Sequence, residues 1–278
     1  MDELILPIKD DIIKAIENDQ LVLPTLPEVA LQVREAAVNE DIDIQKLSRV
    51  ITNDPALSAR IIKVANSPLL RASREIEDLK MAVSRLGIDY TANLATGLAM
   101  EQMFQATSDI IDKKMRDVWS RSTEVAGISH VLCRHFTKLK PDQATLAGLV
   151  HKIGALPILT YAEDNRKLLK DIPMLDKLIE MANPEIGRKI LETWDFPDLL
   201  KRVPEEHIQF DREVDTVDYA DVVLVANLQS YIGTDHPLTH MDWSAISAFD
   251  RLGLSHEVNS HEVEDLSEEM KAAMALLQ

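Results

Sequence analysis

The sequence predicts an all-α protein, and three observations carry that prediction. Only 4% of the 278 residues are aromatic and only 8 are glycine, whereas leucine, alanine, isoleucine, lysine, glutamate and methionine are abundant. This balance favours helices over strands. Helix start and stop signals recur along the whole chain, and no convincing alternation of apolar and polar residues marks a strand.

The first half of the chain contains a series of short predicted helices, each with its own start signal. Thr25 and Glu28 have the spacing of a capping box, with Pro27 at the first helical position. Three aspartates then stand where an N-cap is expected, and a glycine follows the last of these helices. The signals are Asp43, Asp54 before Pro55, a stop near Asn66-Ser67-Pro68, Asp78, and Gly87, which we expect to be left-handed.

The second half predicts longer helices. One long helix is expected over 108–137, and another over 144–156, where Pro157 would end or kink it. Further helices are expected to start at Pro173, Pro184 and Pro197, and a longer one covers 217–232. In the tail, His236 and His240 are expected in a solvated loop, with metal binding the less favoured alternative. Residues 261–277 have one apolar face that docks on the bundle or on a partner.

Composition and charge exclude several classes of protein. The apolar content of 46% suffices for one substantial core, and the single cysteine, Cys133, excludes a disulfide framework and is expected to be a buried small residue. The 47 acidic and 30 basic residues give a net charge of -17, which repels nucleic acid in the absence of a basic run. The acidic opening Met1-Asp2-Glu3 is unlike a signal peptide, and no long uncharged apolar run predicts a membrane span. We expect a soluble cytoplasmic protein.

Chemical motifs are mostly absent. The sequence has no glycine-rich phosphate loop, no nucleophile elbow, no zinc-protease helix and no calcium loop. One stretch differs from the rest, because the apolar segment 144–150 is followed by His151 and Lys152. This resembles the HD superfamily, whose members hold divalent metals with a His-Asp doublet at this point and with further His and Asp residues.

Four ordered motifs narrow the resemblance to the HD-related output domain (HDOD) family. They are Leu23-Pro-Thr-Leu-Pro27, Asp54-Pro-Ala-Leu-Ser-Ala-Arg60, Val64-Ala-Asn-Ser-Pro68 and Ala82-Val-Ser-Arg-Leu-Gly87. The resemblance covers residues 18–232 and implies an N-terminal helical bundle over 18–107 packed on an HD-like five-helix core over 108–232. Residues 1–17 would form a helical lead-in and residues 233–278 a helical extension.

The resemblance also implies which positions held metal in catalytic relatives. Three of them are replaced here by Arg121, Lys152 and Asn183. His151, His207 and Asp221 would be the remnant ligands, with His207 the least secure match. A lysine or arginine beside a divalent ion repels it and cannot ligate it while protonated, so we expect no metal, no other cofactor and no catalytic residues.

Two functions remain open besides residual metal-dependent phosphohydrolysis, which would need ligands not identified here. In the first, the protein is a non-enzymatic bacterial signalling module that binds other proteins, and Arg121 and Lys152 pair with Asp221 or another acid. In the second, Arg121, His151 and Lys152 hold an anionic ligand such as a nucleotide or phosphate. Asp54, Pro55, Asn66 and Pro68 are explained by helix caps and stops. In the alternative interpretation, Asn66 and Arg60 line a groove between the lobes that receives a partner helix.

Overall fold

The computed structural model describes residues 2–67, 70, 75–255 and 261–277, and within these ranges it contains helices and no strand. The all-α prediction is confirmed. Pro68, the last residue of one motif, lies outside the described residues. The helices are α1 Asp2–Glu17, α2 Glu28–Ala37, α3 Ile44–Thr52, α4 Pro55–Ala65, α5 Leu79–Leu86, α6 Ile88–Ala99, α7 Asp109–Phe136, α8 Pro141–Val150, α9 Ala155–Glu163, α10 Arg166–Lys170, α11 Ile172–Thr193, α12 Asp198–Lys201, α13 Val203–Glu206, α14 Tyr219–Gln229, α15 Ser247–Leu252 and α16 His261–Leu277.

Helices α2 to α6 pack together as an N-terminal bundle, and the predicted aspartate caps start three of them. The side chains of Asp43, Asp54 and Asp78 accept hydrogen bonds from backbone N–H groups at 2.7, 2.9 and 2.8 Å. The predicted capping box is wrong, because Pro27 is itself the N-cap of α2 and no side chain caps that helix. Gly87 ends α5 at φ 86° and ψ 161°, a conformation outside the left-handed helical region but still accessible mainly to glycine.

The second lobe is built on α7, which is continuous as predicted. Cys133 is buried on this helix, and burial raises the pKa of its thiol to about 11. The helix predicted over 144–156 is instead two helices, α8 and α9, separated by a turn over 151–154. Pro157 falls in the first turn of α9, where its missing N–H breaks no hydrogen bond.

Helix α11 crosses this turn at very short range. A Cβ atom on Gly154 would lie 2.5 Å from the carbonyl oxygen of Asn183 and 2.6 Å from the backbone nitrogen of Gly187. Glycine is therefore required where the turn meets α11. Pro184 does not start a helix, because it lies inside α11, whose flanking residues Ile179, Ala182 and Ile186 are buried.

The two terminal helices dock on the rest of the chain. On α1, Ile5, Ile12 and Ile16 are buried, and Lys9 forms an ion pair with Glu185 of α11. On α16, the apolar face packs against α7 so closely that a Cβ on Gly127 would lie 2.7 Å from the backbone nitrogen of Met274. In the described part of the predicted apolar face, Met270, Ala273 and Leu277 are thus covered by the chain itself.

One segment, Pro141–Glu163, is long and apolar enough to cross a membrane by length and composition, but 83% of its apolar window is buried inside the fold. It comprises α8, the turn and α9, and it forms the centre of the second lobe. This is the position of a core segment.

Candidate functional site

A cavity of about 540 Å³ lies where the turn after α8 meets α11, the end of α13, α14 and the short 3-10 helix Pro237–His240. Its polar lining includes Lys152, Asn183, His207 and Asn227, each from a different element. The break after α8 builds part of this site, because it exposes the carbonyl oxygen of His151. The Nδ2 of Asn183 donates a hydrogen bond to that oxygen at 3.0 Å.

Two imidazoles lie edge to face behind the polar lining. The rings of His151 and His207 have centroids 5.0 Å apart and an interplanar angle of 83°. Each Nδ1 is held by a carbonyl oxygen, that of Gly148 at 2.6 Å and that of Val203 at 2.8 Å. A carbonyl only accepts, so both Nδ1 atoms carry the proton and both Nε2 atoms present a lone pair.

Both imidazoles are neutral at pH 7. Burial, together with a smaller effect of the Lys152 ammonium, lowers the pKa of His207 to about 4. The pKa of His151 is well below its ordinary value because of burial and then because of the neighbouring His207 and Lys152. The buried Nε2 of His151 has no hydrogen-bond partner within the described residues.

Lys152 is a charged residue that lines the same cavity as His207. Its ammonium makes no ion pair or side-chain hydrogen bond with any residue that the structure describes. Its electrostatic effect on both His207 and His236 places the charge close to the cavity. A second lining lysine, Lys177, is paired with Glu180 at 3.3 Å.

Arg121 does not line the cavity. Its guanidinium donates to Glu124 at 2.7 Å and to the carbonyl oxygen of Ser230 at 2.9 Å, and it lies 3.8 Å from the centre of the Tyr231 ring. His236 stacks on the same ring at 3.6 Å, so the two groups must occupy opposite faces. Arg121 therefore supports one wall of the cavity, whose surface is formed by Tyr231 and His236.

From the sequence, Arg121 and Lys152 are expected to pair with Asp221 or another acid. Arg121 does pair with another acid, Glu124, whereas neither cation pairs with Asp221 within the described residues. The carboxylate of Asp221 is fully buried and accepts from Arg212 Nη1 at 2.6 Å and from Arg251 Nε and Nη2 at 2.9 and 2.7 Å. The residue of α14 that lines the cavity is Asn227. Residues six positions apart on a helix face directions roughly 120° apart, so Asp221 and Asn227 cannot point into the same cavity.

Metal-binding side chains are sparse at this site. Across the described ranges, no three His, Cys, Asp or Glu side chains come close enough together to hold an ion. The donor set of two imidazoles and two amides, with an ammonium beside it, does not fit the dinuclear site of catalytic HD proteins.

Comparison with known proteins assigns the fold to a family. The profile of the HDOD domain matches residues 23–210, which is more than half of the chain. The chain belongs to the HDOD family. The resemblance inferred from the four N-terminal motifs is thereby confirmed.

Several solved structures are similar to this HDOD protein. A protein from Shewanella amazonensis SB2B, whose name provisionally assigns it to the metal-dependent phosphohydrolases, is 31% identical, with a TM-score of 0.84 and 99% of both chains covered. An HDOD domain protein of unknown function from Geobacter sulfurreducens is 19% identical, with a TM-score of 0.66 and coverage of 100% of this chain and 99% of that one. The second of these similarities concerns the fold alone.

Other relatives are longer than this chain. A Marinobacter aquaeolei VT8 protein, provisionally named for signal transduction, is 23% identical with a TM-score of 0.64, and the match covers 93% of this chain but 60% of that chain. An uncharacterised Treponema pallidum protein is 25% identical over 190 residues, covering 63% of this chain. The matched part is 36% of that relative's length, so this chain spans about a third of it.

The two residues proposed for an inter-lobe groove have other roles in this HDOD protein. Both amide atoms of Asn66 bind the backbone of Ile76, at 2.7 Å each, which fixes the chain before α5. Arg60 pairs with Glu101 and donates to the carbonyl oxygen of Leu277 at 2.7 Å, so it ties α16 to the N-terminal bundle.

A cleft between the lobes exists elsewhere. It has a volume of about 680 Å³ and lies between α2 and α6 on one side and α8 and the segment after α11 on the other. Arg34 crosses it and donates to the carbonyl oxygens of Trp194 at 2.7 Å and Asp195 at 2.8 Å. Neither Arg60 nor Asn66 lines this cleft.

Proposed function

We propose that this HDOD protein is a non-enzymatic bacterial signal-transduction module that acts in the cytoplasm by binding other proteins. The observation that carries the proposal is the ammonium of Lys152, which forms no ion pair within the described part of the chain and lines the same cavity as His207, one of the two neutral imidazoles. Two unit charges 4 Å apart interact with about 4 kcal/mol at an effective dielectric constant of 20, so a divalent ion there would meet about twice that repulsion. Metal-assisted hydrolysis requires a bound metal ion, and this repulsion disfavours the binding of one.

The role in signalling is inferred from the relatives. The HDOD matches include a protein provisionally named for signal transduction, and the matched region is only part of the longer relatives. A domain that recurs within longer chains is well suited to act as a module. The net charge of -17 argues against nucleic acid as the partner.

The test is metal analysis combined with a phosphodiesterase assay. The purified protein is expected to contain no stoichiometric Mn, Fe, Ni or Mg. It is also expected to show no chelator-sensitive hydrolysis of a generic phosphodiester. Stoichiometric metal with chelator-sensitive turnover in the wild-type protein would overturn the proposal and favour residual hydrolysis.

A variant makes the same test quantitative. Lys152→Asp removes the repelling charge and supplies a carboxylate beside His151 and His207, so we expect measurable Mn or Ni affinity that the wild-type protein lacks. Lys177→Asp makes the same charge change at a lining residue that is paired with Glu180 and serves as the matched control. Equal metal uptake by both variants would mean that the affinity comes from net charge and not from the two imidazoles.

A second candidate function is that of a sensor for an anionic ligand, which Lys152 favours for the same reason that it disfavours metal. The three residues first expected to hold the anion do not converge, because only Lys152 lines the cavity. The anion site of this candidate function is therefore built from Lys152 and the neighbouring amides of Asn183 and Asn227.

A further inference from the structure

The formal charge of the cavity wall is close to one positive unit. Lys177 and Glu180 neutralise each other, and burial lowers the pKa of both His207 and His236 below their ordinary value, so both are neutral at pH 7. Lys152 is then the one uncompensated charge among the described lining residues. A wall of this kind complements a single anionic group, and Glu180 opposes a second one.

Two buried amides in the wall lack part of their hydrogen bonding. Asn183 and Asn227 are each only 4% exposed, and the Oδ1 atom of each has no partner within the described residues. The Nδ2 of Asn183 already donates to His151, which leaves its oxygen as the free acceptor. An unpaired buried amide costs free energy, so a ligand that donates hydrogen bonds to these oxygens is favoured.

The rest of the wall is largely apolar. Ile208, Phe210 and Leu238 line the cavity together with aliphatic residues of α11. A volume of about 540 Å³ falls within the range of sites for small organic molecules. An inorganic anion would leave most of this apolar surface uncovered.

We propose that the cavity binds a small organic carboxylate that has an apolar body and a hydroxyl or N–H group. The carboxylate pairs with Lys152, the hydroxyl or N–H donates a hydrogen bond to Asn183 or Asn227, and the apolar body packs against Phe210 and Leu238. The inference specifies the ligand of the second candidate function and rests on the cavity being free of metal. It excludes polyphosphates and dinucleotides, whose several charges exceed the single charge of the wall.

Binding is tested with the full-length protein by titration calorimetry. The probes are hydroxybenzoate, indole acetate and octanoate, the corresponding neutral amides, AMP and inorganic phosphate. Trp243 supplies a second signal, because its Nε1 donates to the carbonyl oxygen of Leu238 at 2.8 Å and its fluorescence should respond when that wall is occupied. At least one carboxylate is expected to bind with one molecule per chain, and more tightly than its amide, AMP or phosphate.

Matched variants locate the site. Lys152→Met should weaken carboxylate binding by about tenfold or more, as expected for the loss of a charge-assisted hydrogen bond. Lys177→Met removes the same charge from a lysine that Glu180 already neutralises, and should change affinity less than about twofold. Asn227→Leu should weaken the probes that carry a hydroxyl or ring N–H and leave octanoate unchanged.

The outcomes separate this inference from the proposed function. Failure of every carboxylate to bind, equal weakening by both lysine variants, or tighter binding of AMP than of any carboxylate would each overturn the ligand assignment. These results would leave the absence of metal-dependent turnover untouched, because that is measured separately by metal content and phosphodiester hydrolysis.

Discussion

Replacing Asp221 by asparagine should destabilise the fold strongly and leave the cavity unchanged. The carboxylate is fully buried and forms the centre of a charge network that links α14 to Arg212 and to Arg251 of α15. Arg212 is almost completely buried and also pairs with Glu206 and Asp218. The network thus attaches the C-terminal extension to the second lobe.

The magnitude follows from what each partner retains. Removing one member of a buried ion pair costs about 3–5 kcal/mol, because the other charge stays buried without compensation. Arg212 keeps two carboxylates after Asp221→Asn, whereas Arg251 loses the one carboxylate that it contacts among the described residues and keeps the hydroxyl of Ser247 at 2.8 Å. The side chain of Arg251 is 13% exposed, so water compensates it in part. We expect a loss at the low end, about 3 kcal/mol.

Urea denaturation followed by circular dichroism measures this loss. For a chain of this size, about 3 kcal/mol corresponds to a fall in melting temperature of roughly 6–12 °C. Asp198→Asn is the control, since its carboxylate is 83% exposed and pairs with Lys201 at 3.3 Å; it should cost less than about 0.5 kcal/mol. A double-mutant cycle with Arg251→Met should show a coupling energy above about 1 kcal/mol.

A small effect would refute the reasoning. If Asp221→Asn unfolds at the same urea concentration as the wild-type protein, the network does not stabilise the fold. If it instead lowers metal content or ligand affinity at unchanged stability, Asp221 belongs to the functional site after all.

Three further changes have defined outcomes. Burial, with Arg134 nearby, lowers the pKa of His130 to about 4. The neutral imidazole contributes fully to stability above the unfolded pKa of about 6.5, and this contribution is lost as the pH falls towards 4. Between pH 7 and 5 the free energy of unfolding of the wild-type protein should therefore fall by about 2 kcal/mol more than that of His130→Gln, as measured in urea titrations. Gly154→Ala should lower the free energy of unfolding by about 3 kcal/mol, because the new Cβ meets the backbone of α11. Gly97→Ala is the control and should cost clearly less in the same assay, because its Cβ meets the movable end of the Leu149 side chain. Equal losses in the two variants would argue against the close crossing at Gly154. Asn66→Ala removes two hydrogen bonds to Ile76 and should cost about 2 kcal/mol, and a loss below about 0.5 kcal/mol would return Asn66 to consideration as a binding residue.

The local features of this protein could be predicted from its sequence. Asp43, Asp54 and Asp78 cap helices because a short carboxylate followed by a helical segment satisfies free N–H groups wherever it occurs. The continuous α7 and the apolar face of α16 follow from periodicity alone. Lys152 is likewise visible in the chain, because it directly follows His151 at the position where the family resemblance implies an aspartate in catalytic relatives.

Features that depend on distant contacts could not be predicted in this way. The break over 151–154 occurs where the backbone of α11 crosses at Gly154, and Pro184 stays inside α11 because its neighbours are buried on both sides. The sequence offers Asp221 as the acidic residue of α14, but the packing of that helix turns Asn227 towards the cavity and Asp221 towards Arg212 and Arg251.

The partners of charged residues were decided by the tertiary structure for the same reason. Arg121 could have reached several acids, and it lies against Tyr231 because the chain after α14 returns to α7. The fold brings no acid of the described chain within ion-pair distance of Lys152, although both Lys152 and Glu180 line the cavity. Local sequence determines which groups a helix carries, whereas the rotation and crossing of the helices determine which of those groups meet.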